Sequence, residues 1–139
     1  MEERFLLFKA GGAGYACRLQ EVSEVMEPQP SYPLPGAPPH FLGLINFHGA
    51  LAALVDLPCY LQRGVLKGGG ALLVMDSRRS ALALRVDAVA GIVPAGAVAG
   101  EPQQEGDPPG EFLETELGQF RLLRLDALLS GLEQGLGLI

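Results

Sequence analysis

Glycine and proline cut the apolar sequence of this chain into short runs, and that punctuation limits the architecture more than any other feature. Nineteen glycines and eleven prolines occur in 139 residues. Neither residue suits a helix interior, whereas glycine readily supplies the positive φ of tight turns. Phe5-Leu6-Leu7-Phe8 is followed by Gly11-Gly12-Ala13-Gly14 and then by Tyr15-Ala16-Cys17-Arg18-Leu19, in which Tyr15, Cys17 and Leu19 share one face at period two. That pattern predicts a hairpin with a glycine turn. Residues 41–48 and 51–57 predict a second hairpin around Gly49-Ala50. Residues 71–75 and 81–86 predict a third around a polar turn, and 112–117 with 119–123 a fourth around Gly118. Gly91-Ile92-Val93 adds a short strand.

Helical periodicity is confined to two places. Leu19, Val22, Val25 and Met26 predict a short helix over 20–26, and Leu125, Leu128, Leu129 and Leu132 another over 125–132. Short strands at spacings of about 8–12 residues with glycine turns predict an all-β sandwich or small barrels. At least eight strands are expected. Residues 28–39 hold six of the eleven prolines and predict an extended, turn-rich connection. Residues 67–70 and the acidic, proline-rich 101–110 read as surface loops. With 48% hydrophobic and 19% charged residues, the chain has enough apolar material for one compact domain over 1–139.

Charge and termini narrow the function. A net charge of −6 without a basic run offers little to a phosphate backbone, which argues against nucleic-acid partners. Met1-Glu2-Glu3-Arg4 does not resemble a secretion signal, and no apolar run approaches the ~18 residues that span a bilayer. The expected location is cytoplasmic, without direct membrane insertion, and there Cys17 and Cys59 are expected to be reduced thiols.

Enzymatic readings find little support. Lys67-Gly68-Gly69-Gly70 lacks the spacing of a phosphate loop. His40, His48, Cys17 and Cys59 are not at zinc-site spacing, so no metal or cofactor is expected. A nucleophile pair of Cys59 with His48 in a small ligand-binding or enzymatic barrel is the competing hypothesis, but no recognised nucleophile motif accompanies it. Glu114 and Glu116 alternate with Thr115 as a solvated strand face would.

Several motifs fall in one order: Val22-Ser23-Glu24-Val25, then Pro33-Leu34-Pro35-Gly36-Ala37-Pro38, then Leu42-Gly43-Leu44-Ile45-Asn46-Phe47-His48-Gly49, then Leu54-Val55-Asp56-Leu57, and later Val86-Asp87-Ala88-Val89. The set resembles the CheW-like domain, whose pattern is a proline-rich lead into G-hydrophobic-I-N-L-R-G, then V-D-L and V-D-x-V. The resemblance implies two small five-stranded SH3-like β-barrels packed together. It also implies a scaffold that couples the regulatory domain of a chemotaxis-type histidine kinase to the cytoplasmic tip of chemoreceptors. Glu24, Val25, Leu42, Asn46, His48 and Gly49 are the candidate partner-binding residues on that basis. Two positions depart from the pattern: His48 replaces the signature arginine, and Pro58 replaces the arginine that often follows V-D-L. Histidine titrates and offers fewer donors, so the exchange is not conservative. Alternation places Ile45 and Phe47 inward and Asn46 and His48 on the exposed strand face, where His48→Ala would change stability by no more than ~0.5 kcal/mol.

Overall fold

The computed structural model describes residues 3–64, 69–78, 80–94, 98–99 and 112–135. In chain order the strands are β1 (Arg4–Ala10), β2 (Ala13–Arg18), β3 (Val22–Met26), β4 (Phe41–Phe47), β5 (Ala50–Asp56), β6 (Ala71–Met75), β7 (Leu82–Val86), β8 (Ala88–Pro94), β9 (Val98–Ala99), β10 (Phe112–Thr115) and β11 (Gly118–Leu122). A 3-10 turn at Leu19–Glu21 precedes β3, α1 (Leu57–Tyr60) follows β5, and α2 (Leu125–Gly135) follows β11. The four expected hairpins are present as β1–β2, β4–β5, β6–β7 and β10–β11. The expected loops at 67–70 and 101–110 fall wholly or partly outside the described residues.

The strands form two sheets, in the orders β8-β1-β2-β11-β10-β9 and β3-β6-β7-β5-β4. The sixth strand of the first is the two-residue β9, so five longer strands carry each sheet. Both sheets share one plan. In each, two antiparallel hairpins are joined by a central parallel pairing, β2 with β11 in the first and β5 with β7 in the second. A further strand then flanks one hairpin, β8 beside β1 and β3 beside β6. The second sheet uses consecutive strands, whereas the first is assembled from both ends of the chain.

Side-chain alternation explains why the strands read as nearly continuous apolar runs. Phe5 and Leu7 of β1 join Ala16, Leu113, Phe120 and Leu122 inside the first sheet. Ile45, Ala52, Leu54, Leu72, Val74 and Ala83 fill the inside of the second. The opposite faces, with Leu6 and Phe8 from β1, Val55 from β5, Leu73 and Met75 from β6, and Leu82, Leu84 and Val86 from β7, meet in a third cluster between the two barrels. Successive strand residues thus face two different apolar environments, and both faces must be apolar. Leu125, Leu128 and Leu132 of α2 lie one helical face apart and seal that shared cluster.

The expected helix over 20–26 is absent: a single 3-10 turn ends at Glu21, and 22–26 is strand β3. A bulge explains the misleading period. Val22 pairs with Met75 and Glu24 with Val74, so Ser23 is the extra residue and Val22 and Val25 fall on one side despite being three apart. The short helix α1 replaces the expected end of the 51–57 strand. Its signals are local: the Asp56 carboxylate accepts the Cys59 N–H at 3.2 Å, and Pro58 sits in the first turn.

Candidate functional site

Asn46, His48 and Gly49 lie at the tip of the β4–β5 hairpin, where Glu24 of β3 meets His48, whereas Leu42 lies near the opposite end of β4. β4 and β5 are joined by His48 and Gly49 alone, and both have positive φ, 51° and 83°. A two-residue hairpin turn of this hand requires that conformation at both positions, which glycine adopts freely and histidine more readily than most residues. Asn46 completes the turn, its Oδ1 accepting the Gly49 N–H at 3.0 Å. Asn46 and Gly49 therefore have a structural task in building the hairpin tip.

His48 lies in that turn, one residue beyond the strand, rather than on the strand face as alternation predicted. Its side chain is still 76% exposed, and its Nε2 lies 3.5 Å from Glu24 Oε2 on β3. The backbone changes the expectation for His48→Ala. Alanine in a left-handed conformation costs about 1 kcal/mol, whereas asparagine tolerates it and removes the ring without that cost.

β3 and β4 are the two outer strands of the second sheet, and the segment after β3 returns along β4 to close it. Tyr32 and Leu44 exchange two backbone hydrogen bonds of 2.8 Å, and Ser31 Oγ donates to the Leu42 carbonyl at 2.9 Å. Gln29 Nε2 donates to the Asn46 carbonyl at 3.4 Å. Gln29, Pro30, Ser31, Tyr32 and Asn46 line a shallow pocket of about 330 Å³. Glu24 and Val25 are exposed on β3, whereas Leu42 is half-buried against the core of the second barrel.

Two exposed residues beside this group escaped the sequence reading. Tyr32 is 68% exposed and Leu51, paired with Asn46 across the hairpin, is 56% exposed. Leu51 alternates in phase with the buried Val55, but it sits at the hairpin end, beyond the reach of the core. On the first sheet, Val89 and Ile92 of the edge strand β8 and Leu117 of the β10–β11 turn are also exposed.

The competing Cys59–His48 pair does not assemble. The two residues flank opposite ends of β5, a seven-residue strand that spans roughly 20 Å at its usual rise. Among the described residues no three His, Cys, Asp or Glu side chains are grouped to hold a metal ion. Burial pushes the Cys17 thiol up to about 12 with help from the Glu21 charge, and burial also lowers the His40 imidazole. Asp76 raises the Arg78 guanidinium through a 2.7 Å contact. None of these three groups lines the pocket at Asn46 or the polar cleft between Arg18 and Asp126.

The raised Cys17 gives a direct expectation. At pH 8 a disulfide reagent should titrate one thiol quickly in the native protein, the half-buried Cys59, and the second only after denaturation. The folded thiol holds its proton more tightly than the unfolded one, so its contribution to stability is complete below about pH 9 and is lost between there and about pH 12. Rapid native titration of two thiols would contradict this.

Comparison with known proteins supplies the remaining observation. The family model described as "CheW-like domain" matches residues 4–129. The chain belongs to that family. A CheW-like relative, the "Probable chemotaxis protein CheW" of Rhizobium etli, is 27% identical over 94 residues, covering 66% of this chain. The match spans 61% of that relative's own length. The crystal structure of the scaffolding protein TtCheW from Thermoanaerobacter tengcongensis superposes with a TM-score of 0.76 at 19% identity, covering 90% of each chain. The CheW-like double-barrel fold is thus shared across nearly the whole length.

Proposed function

We propose that this chain is a non-enzymatic cytoplasmic adaptor that couples chemoreceptors to a histidine kinase in a chemotaxis-type complex, acting as a single module. Membership of the CheW-like family supports the class of function. The observation that carries the reading in this molecule is the exposure of Val25, Tyr32 and Leu51 near the polar Glu24, Asn46 and His48. Exposed apolar and aromatic side chains interspersed with polar ones suit a protein-docking surface. Among the described residues, no helix is long and apolar enough to cross a membrane.

Calorimetric titration against the regulatory domain of a chemotaxis-type kinase from the same cell tests this. Binding in the micromolar range or tighter is expected. Leu51→Asp should weaken it at least tenfold, as loss of a central apolar anchor does, with a stability change within about 1 kcal/mol because the side chain is exposed. Ile92→Asp tests the exposed residues of the first sheet in the same assay. No binding of the unaltered protein at high micromolar concentration would overturn the adaptor reading.

A further inference from the structure

We propose that the cleft between the 3-10 turn at Leu19–Glu21 and the start of α2 binds a small zwitterion, an α-amino acid with an aliphatic side chain. The cleft has a volume of about 430 Å³ and is lined by Arg18, Glu21, Arg124, Leu125, Asp126 and Leu129. That volume lies within the ~300–1,000 Å³ of small-molecule sites. The cleft shares no residue with the surface around Val25, Tyr32 and Leu51, and its occupation does not depend on the adaptor reading.

Glu21 is the group that calls for a ligand. The residue is only 7% exposed, and its buried Oε1 has no hydrogen-bond partner among the described residues. A buried carboxylate oxygen without a donor is costly. The backbone keeps it in place, because the Glu21 carbonyl accepts the Asp76 N–H at 2.8 Å and pins the 3-10 turn to the end of β6. Among the described residues no three His, Cys, Asp or Glu side chains are grouped to hold a metal ion. An ammonium, with three N–H donors, suits a single carboxylate better.

The walls fit the rest of the molecule. Arg18 gives its Nε to Glu3 at 2.6 Å, and a guanidinium has five N–H donors, more than one such bond uses. Arg124 stands immediately before α2, its carbonyl accepting the Leu128 N–H at 3.0 Å, where the start of the helix adds partial positive charge that favours an anion. Asp126 turns to its own helix, its Oδ1 accepting the Ala127 N–H at 2.9 Å. Leu125 and Leu129 supply an apolar wall. The complement is an ammonium donating to Glu21, a carboxylate facing the arginines and an aliphatic side chain against the leucines.

Nitrogen-15 amide spectra of the whole protein, titrated separately with L-leucine, L-valine and L-methionine, test this. At least one should shift amides within 18–21 and 124–129 and saturate with a Kd in the low millimolar range or tighter. For that amino acid, the N-acetyl form, which lacks the ammonium, and the matching amine, which lacks the carboxylate, should each bind at least about tenfold more weakly, as loss of a charge-assisted hydrogen bond predicts. E21Q should weaken binding by a similar factor. R124Q, on an exposed side chain, should weaken it about threefold or more and keeps the assignment testable if E21Q does not fold. No saturable shift with any of the three, shifts confined to other residues, or unchanged affinity for either derivative or in either variant overturns the site.

Discussion

Gly43→Ala is expected to lower the melting temperature by about 10 °C or more, although it adds a single methyl group. Gly43 lies in β4 at a φ of 141°, and a β-carbon there would overlap the Tyr32 carbonyl. That carbonyl accepts the Leu44 N–H at 2.8 Å, and the reciprocal bond has the same length. The obstacle is backbone, which cannot swing aside as a side-chain end can. Backbone strain of about 1–3 kcal/mol combines with loss or distortion of two hydrogen bonds worth about 1 kcal/mol each. Gly36→Ala is the control, because Gly36 has a φ of 79° but open space at its β-carbon position. It should lose only about 1 kcal/mol. Equal losses in the two variants, read by thermal denaturation, would show that the close approach of Tyr32 to β4 is not what demands glycine. Glycine at position 43 thus has a physical explanation: it admits the returning segment at Tyr32 that pairs with β4.

Phe8→Ala should cost about 3–5 kcal/mol. The ring is completely buried in the cluster between the barrels and stacks on Tyr15 with centroids 6.1 Å apart. Tyr15 is held in turn by Arg63, whose Nε donates to its hydroxyl at 2.6 Å. Phe120→Ala removes an equally buried ring from the cluster inside the first barrel alone. A shared core predicts that Phe8→Ala destabilises both barrels together, in one transition by near- and far-ultraviolet circular dichroism. Separate transitions would show that the cluster does not couple them. Phe8→Leu, which keeps most of the volume, keeps the test usable should the alanine variant fail to fold.

The hairpins were legible because glycine turns and period-two alternation act locally, within a few residues. Three features resisted for identifiable reasons. The bulge at Ser23 inserted one residue into β3 and turned a strand's period into a helix's. Asp56 and Pro58 carried a capping signal that the alternation of Leu51, Ala53, Val55 and Leu57 obscured. At His48 the alternation was extended one residue too far, since a histidine–glycine pair can take the turn conformation more often assigned to asparagine–glycine. The candidate site was legible as a set of residues, because the motif order marked β4 and its tip. Its geometry was not, because Glu24 and His48 meet through the closure of a sheet, which no local pattern of residues reports. Tyr32 was hidden in a proline-rich stretch with no periodicity to assign it a side.

The shared plan of the two sheets has a consequence for how the molecule is made. The second sheet is drawn from residues 22–86, so its strands emerge from the ribosome together and can pair as soon as β7 is free. The first sheet cannot. Its β2 awaits β11, with Tyr15 opposite Arg121, and that partner emerges about 36 residues after β7 is complete. At the usual pace of synthesis, ~5–20 residues per second, the hairpin carrying Phe5 and Leu7 must wait a few seconds longer than the second sheet with its inner face uncovered. The nascent chain would pass through a half-built stage in which one barrel is closed and the other is an open apolar ribbon, and that interval is when a chaperone would be most useful to it.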